Sequence, residues 1–330
     1  MDKTENMIEV RVENDLARIL ELVEQGYCPV ECSVDGQSII DELAMDHHGP
    51  NSHLEAVSIR AWRDHFGARR GDPRFVIAGS ADADATFAVA ALAGILPHPD
   101  RAEELAHLPD GVRHRYTRDI SGLAQTIAII DTEPIGVDLR ALEDSELWMI
   151  WESLSGGGRD RLSGFAGVAL WRVLTTSRSE KLAPFRAAAD QVETLRRDAA
   201  LADLHERGKI IGRVLVIAGS RVFGFSEWYN RLESNGAYDQ ASGWAHPVVM
   251  SWVEGRGQVT IGCPNVKVAE ELFGSGGLKN LFATLEPAGW GGREAVGGSP
   301  RGASLTSEQV EQAAAVISRF LETDGEVVDL

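Results

Sequence analysis

The stretch RFVIAGSADADATFAVAALAGIL, residues 74–96, decides the fold prediction for this chain. It begins with a short apolar run, Phe75 to Ala78, that is typical of a buried strand. Gly79 and the acidic loop SADAD follow, and an Ala-rich apolar segment then has the composition of a buried helix. A strand, a loop and a helix in this order open a βα unit, so the sequence predicts an α/β fold.

Segments on both sides of this unit extend the same pattern. Residues 14–26 predict an amphipathic helix, and the following polar and apolar alternation around an Asp-Gly turn predicts a hairpin. The apolar residues within 53–66 recur at helical spacing, so this segment predicts a helix. The apolar run TIAIID, Thr126 to Asp131, is interpreted as a second strand with Asp131 at its carboxyl end. Ligands of open α/β sheets gather at such strand ends.

The chain is long enough for two domains. SGGGRDRLSG (155–164) predicts a loop or hinge, and helical patterns then lead to a second apolar series that begins at RVLVIAG (213–219). We therefore expect a larger domain with a mainly parallel sheet and flanking helices, a helical connector, and a smaller α/β domain. Their predicted bounds are 1–160, 161–207 and 208–330.

Composition narrows the classes of function. Apolar residues make up 44% and charged residues 25%, as in globular enzymes. The formal charge of −18 disfavours long duplex nucleic acid as a partner unless a basic groove or bound cations reverse the local field. Cys28, Cys32 and Cys263 form no disulfide framework, and neither a signal peptide nor a membrane span is predicted. We expect a cytoplasmic protein without membrane association.

Histidine and carboxylate side chains point to metal chemistry. MDHHGPNSH (45–53) holds three of the nine histidines, and Asp82 and Asp84 lie in the acidic loop of the βα unit. Hard divalent cations prefer carboxylates, and Mn²⁺ also accepts imidazole. Two such ions would polarise a phosphoryl group and activate a water, so hydrolysis is the predicted chemistry. The alternatives are an ordinary polar loop, solvated aspartates, a helix-capping Asp131, and an ion pair of Asp138 with Arg140.

Together these motifs resemble the DHH phosphoesterase family. MDHHGPNSH resembles its name-giving motif, and AGSADADATFAVAALAGIL is similar to its Asp-x-Asp motif. GWGGREAVGGSPRGASLT (289–306) resembles the glycine-rich signature of the associated DHHA1 domain. The resemblance implies a manganese-dependent hydrolase of phosphodiester or phosphoanhydride bonds. Mg²⁺ is an alternative to Mn²⁺, and two ions are expected.

The resemblance also implies roles for particular residues. His48 would lie beside the scissile phosphate, with Asp46 orienting that loop or binding metal through water. On their own chemistry and not from the resemblance, the guanidinium groups of Arg293 and Arg301 would bind a terminal phosphate, and a flexible surface loop is the alternative. Four glycines would shape that loop, namely Gly291, Gly292, Gly297 and Gly298. The implied metal ligands are His47, Asp82, Asp84 and Asp131, with Asp35 as a further carboxylate and Asp138 as a substitute for Asp131.

Three features depart from the family pattern. The Asp-x-Asp motif follows the DHH motif here instead of preceding it. Gly79 and Ser80 stand where a histidine normally precedes the Asp-x-Asp pair, so His53 or His114 could replace that ligand. Arg293 stands where the glycine-rich run usually has histidine.

The leading hypothesis is a phosphoesterase that uses a metal-activated water on a small phosphorylated substrate, such as a nucleotide, a short oligonucleotide or a phosphoanhydride. The alternatives are a catalytically impaired DHH-like binding or regulatory protein and an assembly subunit. A homodimer is compatible with the sequence.

Overall fold

The chain folds into two compact units in this computed structural model. The first comprises Met1–Asp131 and Leu139–Gln191, and the second comprises Thr132–Asp138 and Val192–Leu330. The structure describes residues 8–34, 37–79, 81–96, 98, 105–106, 108–132, 178–232, 238–239, 243–253, 257–300 and 303–322. The predicted hinge at 155–164 lies outside the described residues, and the predicted domain bounds stay predictions.

The described part of the first unit is built around a small parallel sheet. Its elements up to residue 132 are β1 (Glu9–Val12), α1 (Leu16–Glu24), β2 (Cys28–Val30), β3 (Ser33–Val34), β4 (Gln37–Ser38), a 3₁₀ turn (Gly49–Asn51), α2 (Val57–Arg63), β5 (Arg74–Ile77), α3 (Ala83–Leu92) and α4 (Asp110–Thr132). The sheet order is β1-β5-β2, and both pairings are parallel. β3 and β4 form the predicted hairpin. The β5 to α3 connection is the predicted βα unit.

Helix α3 lies in the hydrophobic core of the first compact unit. Its residues Asp84 to Leu92 are all buried, which confirms the interpretation of the Ala-rich segment as a buried helix. Small side chains let α3 pack closely against α2 and the sheet, where Phe75, Ile77 and Phe87 are fully buried.

The prediction of a strand over Thr126 to Asp131 is wrong, because this segment belongs to helix α4. Ile120, Leu123, Ala124 and Ile127 are buried at helical spacing. A short apolar run has the same composition in a buried helix and in a buried strand, so composition did not separate the two. Helix α2 is also shorter than predicted and begins at Val57 instead of near residue 53.

The second unit contains a separate mixed sheet. From residue 178 the described elements are α5 (Arg178–Arg207), β6 (Gly208–Ile211), β7 (Val214–Ser220), α6 (Phe225–Leu232), β8 (Tyr238–Asp239), β9 (Gly243–Trp244), β10 (Val248–Val253), β11 (Val259–Gly262), α7 (Val266–Phe273), α8 (Lys279–Phe282), β12 (Gly291–Gly292), β13 (Val296–Gly298) and α9 (Ser307–Glu322). The strand order is β12-β13-β11-β10-β7-β6, and only the β10 and β7 pair among these is parallel.

The chain is therefore mixed α/β, with one parallel sheet, one separate mixed sheet and helices. Within the described ranges, no helix combines the length and apolar character needed to cross a bilayer.

Candidate metal centre

Asp84 enters the site from the first turn of α3 and is almost fully buried. Its two carboxylate oxygens accept hydrogen bonds from the backbone N–H groups of Val57 and Ser58, each at 3.0 Å. These N–H groups open α2, whose own N-cap residue, Ala56, has no side-chain acceptor. Asp84 therefore caps α2 from a neighbouring helix, which explains why α2 begins at Val57.

Glu31 is a site residue that the sequence analysis missed. It directly follows β2, is 2% exposed and has a positive φ of 53°. This backbone conformation is unfavourable for residues other than glycine, and it turns the chain away from the sheet. The signal in the sequence was a carboxylate at the carboxyl end of a short apolar strand. The family resemblance pointed to Asp35 as the further carboxylate instead, and Asp35 lies outside the described residues.

His47 is the centre of a largely buried group of side chains that could hold a metal ion. Its Nε2 atom lies 2.8 Å from Glu31 Oε1, 3.2 Å from Asp131 Oδ2 and 3.6 Å from Asp84 Oδ2. One ligand atom from each of these four residues lies within 4.8 Å of all the others. An overlapping group combines Glu31 and His47 with His48. The structure thus brings together His47, Asp84 and Asp131 from the predicted ligand set and adds Glu31.

Negative charge is concentrated around this imidazole. Two ionised carboxylates about 4 Å apart repel each other by about 4 kcal/mol at an effective dielectric constant of about 20. Asp131 lies in the last turn of α4, where the helix dipole adds negative potential. Burial raises the pKa of Asp84 to about 6, against the hydrogen bonds that this carboxylate accepts. A cation at this position would offset the repulsion.

The donor set fits a hard divalent cation. Three carboxylates and one imidazole are the ligand types that Mn²⁺ accepts, and Mg²⁺ prefers the carboxylates among them. The described cysteines are absent from the group, so nothing in it favours a soft thiolate-binding metal. On the chemistry of the donors, the residues fit the divalent metal that the sequence motifs imply.

Asp46 and His48 form a hydrogen-bonded pair beside the ligand group. Asp46 Oδ1 lies 2.9 Å from His48 Nδ1 and accepts the His48 backbone N–H at 3.1 Å, while Oδ2 accepts the Ser38 hydroxyl. Burial opposes ionisation of Asp46, but these hydrogen bonds outweigh it and lower its pKa. An ionised Asp46 accepts a hydrogen bond from the Nδ1–H group of His48, which leaves Nε2 as the ring nitrogen that is not bonded to Asp46.

The remaining predicted ligands that the structure describes are not members of this group. Asp82 is the N-cap of α3 and accepts the Ala85 N–H at 3.0 Å. It is near enough to Asp84 to raise that residue's pKa, yet it is not in the four-residue group. His53 is exposed, and its ring contacts the Pro50 carbonyl. His114 is also exposed, and Asp138 lies outside the described residues. The ligand role of Asp82 stays a prediction.

The glycine-rich segment forms a tight hairpin in the second unit. β12 pairs with β13 through Gly291 opposite Gly298 and Gly292 opposite Gly297. The Arg293 N–H closes the turn by donating to the Val296 carbonyl at 2.7 Å. A Cβ atom on Gly297 would overlap the Phe282 ring, and one on Gly292 would overlap the facing strand. These two glycines therefore permit close packing of the hairpin.

Trp290 and Arg301 complete the description of this segment. Trp290 is 6% exposed and belongs to the core of the second unit, so it is a packing residue. Arg301 lies outside the described residues. The phosphate-binding role of the glycine-arginine segment stays a prediction.

Comparisons with known proteins give little similarity. No family model matches the chain, and no curated protein matches it. A similar solved structure is the pGpG-specific phosphodiesterase PggH from Vibrio cholerae, with 13% identity and a TM-score of 0.36, over 76% of this chain and 80% of that one. We base the functional proposal below on the side chains of the site.

Proposed function

We propose that this protein is a divalent-metal-dependent phosphoesterase that hydrolyses a small phosphorylated substrate. One observation carries the proposal: Glu31, His47, Asp84 and Asp131 converge within 4.8 Å next to the Asp46–His48 pair. Mn²⁺ is the proposed metal, and the substrate class is a nucleotide, a short oligonucleotide or a phosphoanhydride. The expected number of ions is two.

Glu31, His47, Asp84 and Asp131 would hold the cation. When bound, it would supply Lewis acidity to a phosphoryl oxygen and lower the pKa of a water at that position. Because the four donors come from four segments of the first unit, their arrangement depends on the fold and not on one local motif.

His48 would act as the general acid. Its side chain is 29% exposed, whereas the Asp46 side chain behind it is fully buried. Asp46 would hold the Nδ1 proton and keep Nε2 directed at the leaving oxygen. Water would add to phosphorus and release one proton to solvent, and as the bond from phosphorus to the leaving oxygen breaks, Nε2 of the protonated imidazole would deliver a proton to that oxygen. The imidazole would then recover a proton from solvent.

Arg293 is proposed to bind an anionic group of the substrate in the second unit. It occupies the turn of the β12 and β13 hairpin and is partly exposed. The neighbouring Glu294 pairs with Lys279 at 2.6 Å, and the charge of Arg293 also acts on this carboxylate. A guanidinium at this turn could bind a phosphate with two hydrogen bonds.

The proposal is tested by metal analysis together with hydrolysis assays on the full chain. Purified protein should retain Mn²⁺ after dialysis against buffer and release product from a panel of bis(p-nitrophenyl) phosphate, dinucleotides and pyrophosphate. Removal of the metal with EDTA should abolish turnover, and added Mn²⁺ should restore it. Protein that binds no divalent metal would end the proposal. Metal binding without turnover on any substrate would favour a ligand-binding or regulatory protein.

A further inference from the structure

Arg60 is a buried cation on α2 that the proposed chemistry does not use. It is 9% exposed, and its guanidinium donates three hydrogen bonds to backbone carbonyls. Nε bonds to Glu55 O at 3.0 Å, Nη1 to Ala44 O at 2.7 Å and Nη2 to Asp46 O at 3.0 Å. A buried guanidinium bonded to main-chain carbonyls fixes the path of the chain that carries them.

The Arg60 contacts fall on the segment that leads into His47. Ala44 and Asp46 are held by the two terminal nitrogens of Arg60. The carbonyl between them, that of Met45, accepts the Glu31 N–H at 2.7 Å. Three successive carbonyls thus accept hydrogen bonds. Two of the donors belong to Arg60 on α2, and the third is the Glu31 N–H group at the end of β2. His47 follows directly after them.

The backbone of this segment needs such support. Ala44 has a positive φ of 51°, a left-handed conformation that is unfavourable for an L-residue. The carbonyl of Ala44 accepts both the Arg60 guanidinium and the Asp46 N–H. Without the guanidinium, this turn would lose the contact that offsets its unfavourable conformation.

Arg60 is also tied to Asp84 through α2. Asp84 caps the first turn of α2, and Arg60 lies one turn further along the same helix. The charges of Asp46 and Asp84 both act on the guanidinium. The Arg60 guanidinium is therefore influenced by both carboxylates, although the three hydrogen bonds described above all go to backbone carbonyls.

We infer that Arg60 is a positioning residue that holds the His47 loop in the geometry required for metal binding. The inference rests on the proposed metal site, but the geometry that it explains is independent of the metal. A planar fork that spans two carbonyls cannot be replaced by the single ammonium of lysine. Loss of the fork should let His47 move away from Glu31.

The test compares Arg60→Lys and Arg60→Gln with Arg63→Lys. Arg63 is on the same helix, but its side chain is 52% exposed and pairs with Glu55 and Asp64, so it is the matched control. Two quantities are measured: the ¹⁵N and ¹H signals of the His47 ring in EDTA-treated protein, and the Mn²⁺ dissociation constant by calorimetry. Circular dichroism checks that each variant is folded.

We expect both Arg60 variants to shift the His47 ring signals and to weaken Mn²⁺ binding by about 10- to 100-fold, the range found for residues that orient metal ligands. Arg63→Lys should change neither quantity. Unchanged His47 signals and unchanged Mn²⁺ affinity in Arg60→Lys would overturn the inference. If the wild-type chain binds no Mn²⁺ but Arg60→Lys still shifts the His47 signals, the proposed function fails and the positioning role stands.

A measurement on the unmodified chain covers the case in which the Arg60 variants do not fold. Arg60 is 9% exposed and its Nε–H group donates to a backbone carbonyl, so the hydrogen exchange of this group should be at least about tenfold slower than that of Arg63, whose side chain is 52% exposed. Equal exchange rates would overturn the inference.

Discussion

His47 Nε2 lies 2.8 Å from Glu31 Oε1, and a backbone hydrogen bond from Glu31 to Met45 keeps the two segments in register. A proton on His47 would neutralise only one of the three carboxylates around it. A divalent cation would offset more of this charge and would accept both residues as ligands. The close approach of these two side chains is therefore the main structural argument for a metal.

Glu31→Gln should weaken Mn²⁺ binding by at least about tenfold, or about 1.4 kcal/mol. The amide keeps the shape of the side chain but removes the negative charge that attracts the cation. Calorimetric titration of the EDTA-treated protein measures the effect. Glu55→Gln is the control, because that carboxylate is 54% exposed and pairs with Arg63. Equal Mn²⁺ affinity in the two variants would contradict a ligand role for Glu31.

Substitutions of Asp84 should separate its capping role from its ligand role. Asp84→Ala leaves the N–H groups of Val57 and Ser58 without their acceptor, at a cost of about 1–3 kcal/mol in the free energy of unfolding. Asp84→Asn retains one acceptor oxygen and should be more stable than the alanine variant. Both should lose Mn²⁺ affinity. Urea unfolding and calorimetry measure the two effects, and equal stability of the two variants would argue against the cap.

Asp82 offers a comparison on the same helix. Asp82→Ala removes the N-cap of α3 and should cost about 1 kcal/mol in the free energy of unfolding. Asp82→Asn keeps a capping oxygen, so metal analysis of that variant decides whether Asp82 also binds the ion. Full retention of Mn²⁺ would restrict Asp82 to capping.

The raised pKa of Asp84 predicts an unusual pH dependence for the metal-free protein. Burial raises this pKa from 3.8 to about 6, so between these values the folded chain holds a proton that the unfolded chain releases. The stabilisation of the folded state by protonated Asp84 is fully present below about pH 4, and it is lost as pH rises through about 6. Thermal unfolding in EDTA between pH 4 and 7 should show this trend in the wild type relative to Asp84→Asn. Parallel curves would contradict the assignment.

The sequence predicted the βα unit and three members of the ligand group for different reasons. The apolar strand followed by a small-residue helix identified β5 and α3 directly, since such local patterns depend on neighbouring residues. His47 and Asp84 came from motifs beside these elements. Asp131 was predicted at the end of a strand, but it reaches His47 from the last turn of helix α4.

Glu31 and the cap that Asp84 provides could not be predicted in the same way. The carboxylate after the short strand is visible in the sequence, but the place of Glu31 in the site depends on a positive φ, and no residue type in the sequence marks that turn. The cap joins residues 26 and 27 positions apart, so it exists only once α2 and α3 have packed together. Both features are set by tertiary structure and not by local propensity.

His48→Gln should reduce kcat by about 10²- to 10⁴-fold, the usual contribution of a general acid. It should leave the four principal ligands intact, so Mn²⁺ affinity should change little. Hydrolysis of a substrate with a better leaving group should recover part of the loss, because that oxygen needs less protonation. A parallel loss of Mn²⁺ affinity would instead indicate that His48 is a metal ligand. Its position allows this, because His48 forms a second possible metal-binding group with Glu31 and His47.

The glycine-rich hairpin can be tested with a matched pair of alanine substitutions. Gly297→Ala places a methyl group against the Phe282 ring and the Gly291 carbonyl, and such overpacking typically costs about 1–3 kcal/mol. Gly291→Ala meets nothing within 4 Å and should be close to neutral for stability. Urea unfolding measures both variants. Because Gly291 tolerates a methyl group sterically, weaker substrate binding by the folded Gly291→Ala variant would support contact with a ligand at this hairpin. An unchanged KM would limit the glycines to packing.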